Sequence, residues 1–121
     1  MSRSMLILGS LNAFLAVGLG AFGAHGLKKL LDDYAIQIWH TGVQYHFYHA
    51  LGLLVIALIA EKMPAAVNAG WLMFVGIILF SGSLYALSLS GVKILGAVTP
   101  FGGLCFLGAW LWLAWLGFKN L

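Results

Sequence analysis

The sequence predicts an all-α membrane protein: a single transmembrane domain folded as a four-transmembrane-helix bundle, with a short amphipathic interfacial helix between helices 1 and 2. Hydrophobic residues make up 63% of the 121 residues and charged residues only 7%. A soluble domain of this length has too little interior to bury so much apolar surface. The chain has four apolar runs, and each is long enough to cross a bilayer, which takes about 20 helical residues. These runs span residues 5–24, 41–60, 67–89 and 100–118.

Composition and motifs argue against several classes of protein. The net charge of +3 comes from a few residues dispersed along the chain, so no nucleic-acid-binding surface is predicted. The single cysteine, Cys105, cannot form an intramolecular disulfide, and a Cys-x-x-Cys metal or redox motif is absent. The chain also lacks a Walker phosphate loop, a G-x-S-x-G nucleophile elbow and an H-E-x-x-H zinc motif. An enzyme is therefore disfavoured.

The first apolar run is predicted to pack closely against a neighbouring helix. Its length exceeds that of a signal-peptide core, so we expect a retained transmembrane helix. Asn12 is a polar residue within this run and is expected to hydrogen-bond to another helix. Small residues recur at helical spacing and let helix backbones approach each other. They are Gly9, Ala13, Ala16, Gly20 and Ala24.

The connection between the first two runs, residues 27–40, has the period of an amphipathic helix. Charged residues separate apolar residues at steps of three and four, which predicts a helix lying in the membrane interface. Trp39, near the end of the segment, is predicted to be an interface anchor. The apolar positions are Leu27, Leu30, Leu31, Tyr34 and Ile38.

The second apolar run places ionisable side chains inside the membrane. Its continuous apolar part, residues 50–60, would extend only about 16 Å as a helix. A Glu-Lys pair closes one end, so the missing length must come from the residues before the run. Tyr45, His46 and His49 therefore lie in the membrane, where such groups usually face a bundle interior or a water-filled cavity.

Polar residues from all four helices are predicted to meet in the half of the membrane opposite the chain termini. The alternating helix directions place the ends of helices 1 and 3 beside the starts of helices 2 and 4. Membrane helices tend to bury polar groups against each other. We therefore expect a polar cluster or small cavity with His49 and Tyr85 at its centre and His46 beside them. The candidate residues are His25, Tyr45, His46, His49, Ser81, Tyr85, Ser88 and Thr99.

Three functions fit such a cluster. In a non-enzymatic packing or accessory protein, direct hydrogen bonds would close the cluster, and the protein would associate in the lipid bilayer as a homo-oligomer or with a larger membrane-protein partner. In a ligand-binding or transport bundle, the cluster would contact a proton, an ion, a lipid or a quinone. In a haem- or metal-binding bundle, His46 and His49 would supply the ligands, with His25 as a further candidate. No carboxylate or thiolate accompanies them in the membrane, so no cofactor is firmly implied and the packing function is preferred.

Four motifs occur together in a fixed order, at residues 20–26 (GAFGAHG), 45–51 (YHFYHAL), 80–85 (FSGSLY) and 99–103 (TPFGG). With these motifs the chain resembles the YgdD/YwdK family of small bacterial membrane proteins, a domain-of-unknown-function family that also has mitochondrial relatives. The resemblance covers nearly the whole chain and implies a multi-pass protein of the inner (cytoplasmic) membrane. It implies no catalytic residues, because the family has no established activity to transfer.

Charge alone does not decide the orientation in the membrane. Four spans place both termini on the same side, and the basic residues are balanced across the membrane, so the positive-inside rule does not discriminate. The termini side carries Arg3, Lys62 and Lys119, and the opposite side carries Lys28, Lys29 and Lys93. Members of the resembled family have basic residues at the positions matching Lys62 and at the C-terminus, which favours cytoplasmic termini.

The topology can be tested with single cysteines in the Cys105→Ser background. Four spans put Asp32 and Lys93 on one side of the membrane and both termini on the other. An impermeant thiol reagent applied to one face of sealed vesicles is expected to label Asp32→Cys and Lys93→Cys together. The same reagent should label Ser2→Cys and Asn120→Cys only from the opposite face. Labelling of positions 32 and 120 from one face would rule out four spans.

Overall fold

A computed structural model describes residues Met1–Leu121, and every regular element in it is helical. Four helical stretches are long and apolar enough to cross a membrane, which confirms the predicted four-helix membrane bundle. The first, second and fourth spans contain α1 (Arg3–His25), α2 (Asp33–Ile59) and α5 (Thr99–Asn120). The third span joins α3 (Ala66–Gly76), a π-helical segment (Ile77–Gly82) and α4 (Ser83–Ser90).

Helices begin and end where the sequence supplies capping groups. The Ser2 hydroxyl accepts a hydrogen bond from the Met5 backbone N–H at 3.2 Å, which caps α1. After α4, Gly91 has a φ of 71°, a left-handed conformation that glycine adopts without strain. A short 3-10 helix, Lys93–Ala97, then leads to α5, whose first turn contains Pro100.

The predicted interfacial helix over residues 27–40 differs from the structure. Leu27–Lys29 form a short 3-10 helix, and the chain bends before Asp32. The Asp32 carboxylate accepts a hydrogen bond from the Ala35 N–H at 2.8 Å and starts α2 there. The rest of the predicted segment therefore belongs to the transmembrane helix itself. The helical period was a correct indication of helix, but an Asp N-cap inside the segment divides it.

Trp39 lies inside the bundle, so its prediction as an interface anchor was wrong. Its side chain is only 2% exposed, and its indole N–H donates to the Leu19 carbonyl of α1 at 2.9 Å. Gly23 of α1 makes room for this indole, because a Cβ added there would lie 2.5 Å from the Trp39 ring. Trp39 therefore docks α2 on α1.

Both chain termini lie at the same end of the bundle. The Ser2 N–H donates to the Ala57 carbonyl near the end of α2 at 2.9 Å. Leu121 lies beside Lys62, in the turn that joins the second and third spans. We call this end the termini end, and we call the opposite end, formed by the connections after α1 and α4, the loop end.

The main apolar core lies where α2, α3 and α5 meet. Gly52 of α2 lies against Met73, and Gly76 of α3 lies against Phe106. Glycine lets helices approach closely, which matters in a membrane because lipid tails are as apolar as the side chains they replace. Buried residues of this core include Met5, Leu53, Ile56, Met73 and Phe106.

The π-helical segment brings its backbone close to that of α5. Its Phe80 backbone packs against Gly102 in the first turns of α5, and a Cβ added at Gly102 would collide with the Phe80 backbone nitrogen. Only glycine therefore fits at position 102 in this arrangement. π-helical turns are rare and frequently occur at functional sites, and this one also supplies Ser81, whose hydroxyl bonds to the backbone of α2 as described below.

Gly102→Ala is expected to destabilise the bundle by about 1–3 kcal/mol, because the added methyl forces α5 away from the third span. Gly117→Ala is the matched control in the same helix, since no atom lies within 4 Å of a Cβ added there. That control should be neutral or stabilising by up to about 1 kcal/mol through helix propensity. Unfolding in mixed detergent micelles measures both variants. Equal stabilities would contradict the close approach at Gly102.

Candidate functional site

A chain of hydrogen bonds joins three spans through His46. The Nε2 atom of the ring lies 2.9 Å from Asn12 Oδ1 on α1, and the Nδ1 atom lies 2.9 Å from the Tyr85 hydroxyl on α4. Asn12 Nδ2 in turn donates to the Leu8 carbonyl at 2.8 Å. His46 and Asn12 are both buried. These bonds, which we call the His46 network, tie the second span to the first and third.

The donors and acceptors of the His46 network determine where its protons lie. Because Asn12 donates through Nδ2 to Leu8, its Oδ1 faces His46 and accepts the Nε2–H. The Nδ1 atom of the neutral ring is then an acceptor, and the Tyr85 O–H donates to it. Each hydrogen bond of the His46 network thus has a defined donor and acceptor, from the Tyr85 hydroxyl to the Leu8 carbonyl.

His49 forms a second network on the side that faces α5. Its Nδ1–H donates to the Tyr45 carbonyl one turn earlier at 2.7 Å, and its Nε2 accepts the Trp110 indole N–H at 3.0 Å. The ring stacks on Phe106, with centroids 3.5 Å apart and planes inclined by 4°. This His49 network ties the second span to the fourth.

The two histidines are held in opposite tautomers. His46 carries its proton on Nε2 and His49 on Nδ1, because the carbonyl oxygens beside those atoms can only accept. All four ring nitrogens are used in hydrogen bonds within the protein, so neither ring presents a free lone pair. Ligation of a metal or haem by either ring would first require one of these bonds to break. The structure also groups no three His, Cys, Asp or Glu side chains that could hold a metal ion.

Two serines of the third span bond directly to the backbone of α2. Ser81, in the π-helical segment, donates to the Gly42 carbonyl at 2.8 Å, and Ser88 donates to the Ala35 carbonyl at 2.6 Å. A carbonyl oxygen has two lone pairs, so it can accept such a bond in addition to its helical one. These serines therefore align the third span with α2 over two turns of helix.

The other predicted site residues have different surroundings. Thr99, at the start of α5, pairs its hydroxyl with that of Ser83. Tyr45 contributes its backbone carbonyl to His49, while its side chain is 39% exposed and its hydroxyl makes no hydrogen bond within the protein. His25 is exposed at the end of α1 and takes no part in either network.

The centre of the polar region is displaced from the predicted one. Tyr85 bonds to His46 and not to His49, so the structure has two adjoining networks instead of one cluster around His49 and Tyr85. His46 lies near the midpoint of α2, about 20 Å from the start of this 27-residue helix. Because α2 begins earlier than predicted, the networks lie near the middle of the bundle and not in its loop half.

Three partners of the histidines were not identified from the sequence. Asn12 was expected to bond to another helix, but nothing in the sequence identified His46 as its partner. Trp110 and Phe106 gave no separate signal, because aromatic residues are frequent in α5. Their spacing of four residues does place them on one helix face, and that face could have been matched to His49.

An open apolar groove lies beside the His49 network, between the second and fourth spans. Its volume is about 410 Å³. Its wall is aromatic, formed by Tyr45, Phe80, Phe106 and Trp110. The Tyr45 ring packs against Phe80 with centroids 4.7 Å apart. We call this feature the aromatic groove.

The four apolar spans and the hydrogen bonds between them define a small multi-pass membrane protein. Residues 19–103 match a family model described as "Protein of unknown function (DUF423)", and the chain belongs to that family. It is 56% identical to the UPF0382 membrane protein YwdK of Bacillus subtilis, over 98% of this chain and 99% of that protein. This confirms the family resemblance predicted from the four motifs.

Staphylococcal proteins are also similar to the chain. It is 57% identical to a UPF0382 membrane protein of Staphylococcus epidermidis over 90% of each chain. It is 50% identical to a UPF0382 membrane protein of Staphylococcus aureus over 97% of each chain. No solved structure matches the chain.

The bond between Asn12 and His46 can be measured with a double-mutant cycle in detergent. We expect Asn12→Ala and His46→Ala each to lower the free energy of unfolding by about 1–3 kcal/mol, because each leaves a buried partner unpaired. The coupling between them should be about 0.6–1.7 kcal/mol, as for other hydrogen bonds between membrane helices. His25→Ala, outside the networks, is the control and should leave stability unchanged. Purely additive losses would show that the bond contributes nothing.

Proposed function

We propose that the protein is a non-enzymatic accessory protein of the cytoplasmic membrane that acts by packing against other transmembrane helices. One observation carries this proposal: both histidine networks are closed. No buried side-chain nitrogen or oxygen lacks a hydrogen-bond partner. A site for a substrate or an ion keeps polar groups free to receive it, and the buried histidines keep none. Their role is then to set the register of the helices.

The arrangement of the bonds supports this structural role. α2 is the central helix, because Asn12 of α1, Tyr85 of α4 and Trp110 of α5 all bond to its histidines. A hydrogen bond between membrane helices contributes about 0.6 kcal/mol on average. Several such bonds, each with a single geometry, favour one register and one rotation of every span against α2.

The partner in this proposal is a second copy of the chain or a larger membrane protein, and both termini face the cytoplasm. The outer surfaces of α1 and α5 are available for such contacts, with Phe14 73% exposed and Leu111 72% exposed. Lys62 and Lys119 lie toward the termini end, and members of the resembled family have basic residues at the positions matching Lys62 and at the C-terminus, which favours the cytoplasm for this end.

A second candidate function is the binding of a lipid or quinone in the aromatic groove. The Tyr45 hydroxyl favours it, because this phenol lies beside the groove and makes no hydrogen bond within the protein. The phenol O–H can donate a hydrogen bond, and the carbonyl of a bound molecule would accept it. The groove ranks second because its other lining residues are almost entirely apolar and it opens toward the lipid.

Purification in native-membrane nanodiscs tests both proposals. We expect the protein to show no visible absorption band, to contain much less than one metal ion per chain, and to carry a stoichiometric protein partner. The matched variants are His49→Gln for a metal or haem and Tyr45→Phe for a quinone or lipid. A band or ion lost in a folded His49→Gln variant would contradict the packing function. A co-purified quinone lost in Tyr45→Phe would favour the groove instead.

A further inference from the structure

Gln44 places an unpaired amide on the lipid-facing surface of α2. Its side chain is exposed and makes no hydrogen bond within the protein. α2 has 27 residues, or about 40 Å, so it exceeds the hydrocarbon core by about 10 Å. With this excess shared between both ends, Gln44 lies about 10 Å inside the hydrocarbon. No water is present there to satisfy its donors and acceptor, and leaving them unpaired is costly.

A second polar side chain and a shallow groove adjoin Gln44. Tyr48 lies one helical turn further along α2 and is 54% exposed. The groove has a volume of about 510 Å³ and runs between α2 and α1. The small residues Gly20 and Ala21 of α1 line it. We call this region the Gln44 surface; it comprises Val17, Gly20, Ala21, Gln44, Phe47 and Tyr48.

We propose that the Gln44 surface is a self-association interface, covered in the membrane by the same surface of a second copy of this chain. The two copies are related by a twofold axis along the bilayer normal. This inference rests on the proposed packing function and names its partner. In the interface, the two Gln44 amides pair with each other, and Phe47 and Tyr48 of one copy lie over the groove of the other.

The depth of Gln44 in the membrane favours a second copy of the chain as the partner that covers the Gln44 surface. All copies of a membrane protein share one orientation, so a twofold axis along the normal brings Gln44 to Gln44 at the same depth. A carboxamide is both donor and acceptor, so two facing amides satisfy each other reciprocally. Any other partner would need a polar group at this same depth, whereas a second copy supplies one by symmetry.

The surface also has the shape for this contact. Its ridge is the exposed side chain of Tyr48, and its groove is lined by the small residues Gly20 and Ala21 on the same face. A surface with an adjacent ridge and groove fits its own copy under twofold symmetry. The exposed face of α5 lacks such polar groups in the membrane, because it presents Leu104, Leu107 and Leu111.

Energy transfer between labelled copies in lipid vesicles tests the inference. Donor and acceptor dyes are attached at Asn120→Cys in the Cys105→Ser background, and protein is diluted stepwise with lipid. Association should be half-complete at a roughly tenfold higher protein-to-lipid ratio for Gln44→Leu than for wild type, because one interhelical hydrogen-bonded pair is lost. Gln44→Asn should retain most of the association. Leu107→Ala, on the exposed face of α5 and outside the Gln44 surface, is the control and should change nothing.

Cross-linking gives an independent measurement that keeps Gln44 in place. Tyr48→Cys is expected to form a disulfide-linked dimer in oxidised native membranes, and Leu107→Cys, 63% exposed in the wild type, is not. Equal cross-linking of the two variants would overturn the inference. So would wild-type energy transfer at the level of random mixing, or a Gln44→Leu variant that melts and associates as wild type does.

Failure of this inference can be told apart from failure of the packing function. The wild-type protein could be monomeric in vesicles and still carry a different stoichiometric partner from native membranes. That result would contradict self-association and leave the packing function intact. A bound chromophore, metal or quinone that depends on His49 or Tyr45 would instead contradict the packing function. Because Gln44 is exposed, its variants are expected to fold, and thermal unfolding in detergent checks that they do.

Discussion

The bilayer supplies no hydrogen-bond partners, and the rest of the structure depends on how the buried His46 ring meets that constraint. Its two nitrogens bond to Asn12 on one neighbouring span and Tyr85 on another. His49 meets the same constraint by accepting a hydrogen bond from Trp110 of the fourth span. The polar groups that would be costly to bury alone thus become the contacts that align the helices around α2.

The same constraint limits the chemistry of the bundle. Histidine and tyrosine are the residue types expected of proton transfer or metal binding, yet here both ring nitrogens of His46 and of His49 are engaged within the protein. Their opposite tautomers follow from carbonyl acceptors at different ring positions. The exposed polar side chains Gln44 and Tyr48 do not satisfy the constraint within one chain. The buried polar groups therefore have all their hydrogen-bond partners, whereas these lipid-facing groups have none within the chain. Association between chains would supply the missing partners.

Much of the architecture could be predicted from local features of the sequence. The number of spans follows from apolar runs, and the inward position of His46 and His49 follows from the cost of placing them in lipid. The interfacial segment was harder, because its helical period was genuine but Asp32 caps a helix within it. Trp39 was mistaken for an interface anchor, since its burial depends on the space left by Gly23 on another helix.

The sequence by itself determined that the chain is a four-span membrane protein of a particular family, because transfer of apolar side chains into lipid is a local and nearly additive quantity. It also determined which polar residues would need partners. Only the tertiary structure decided that His46 pairs with Asn12 and Tyr85, and His49 with Trp110. A shift of one residue rotates a helix face by about 100°, so these pairings depend on the relative register and rotation of separate helices, which no local pattern encodes.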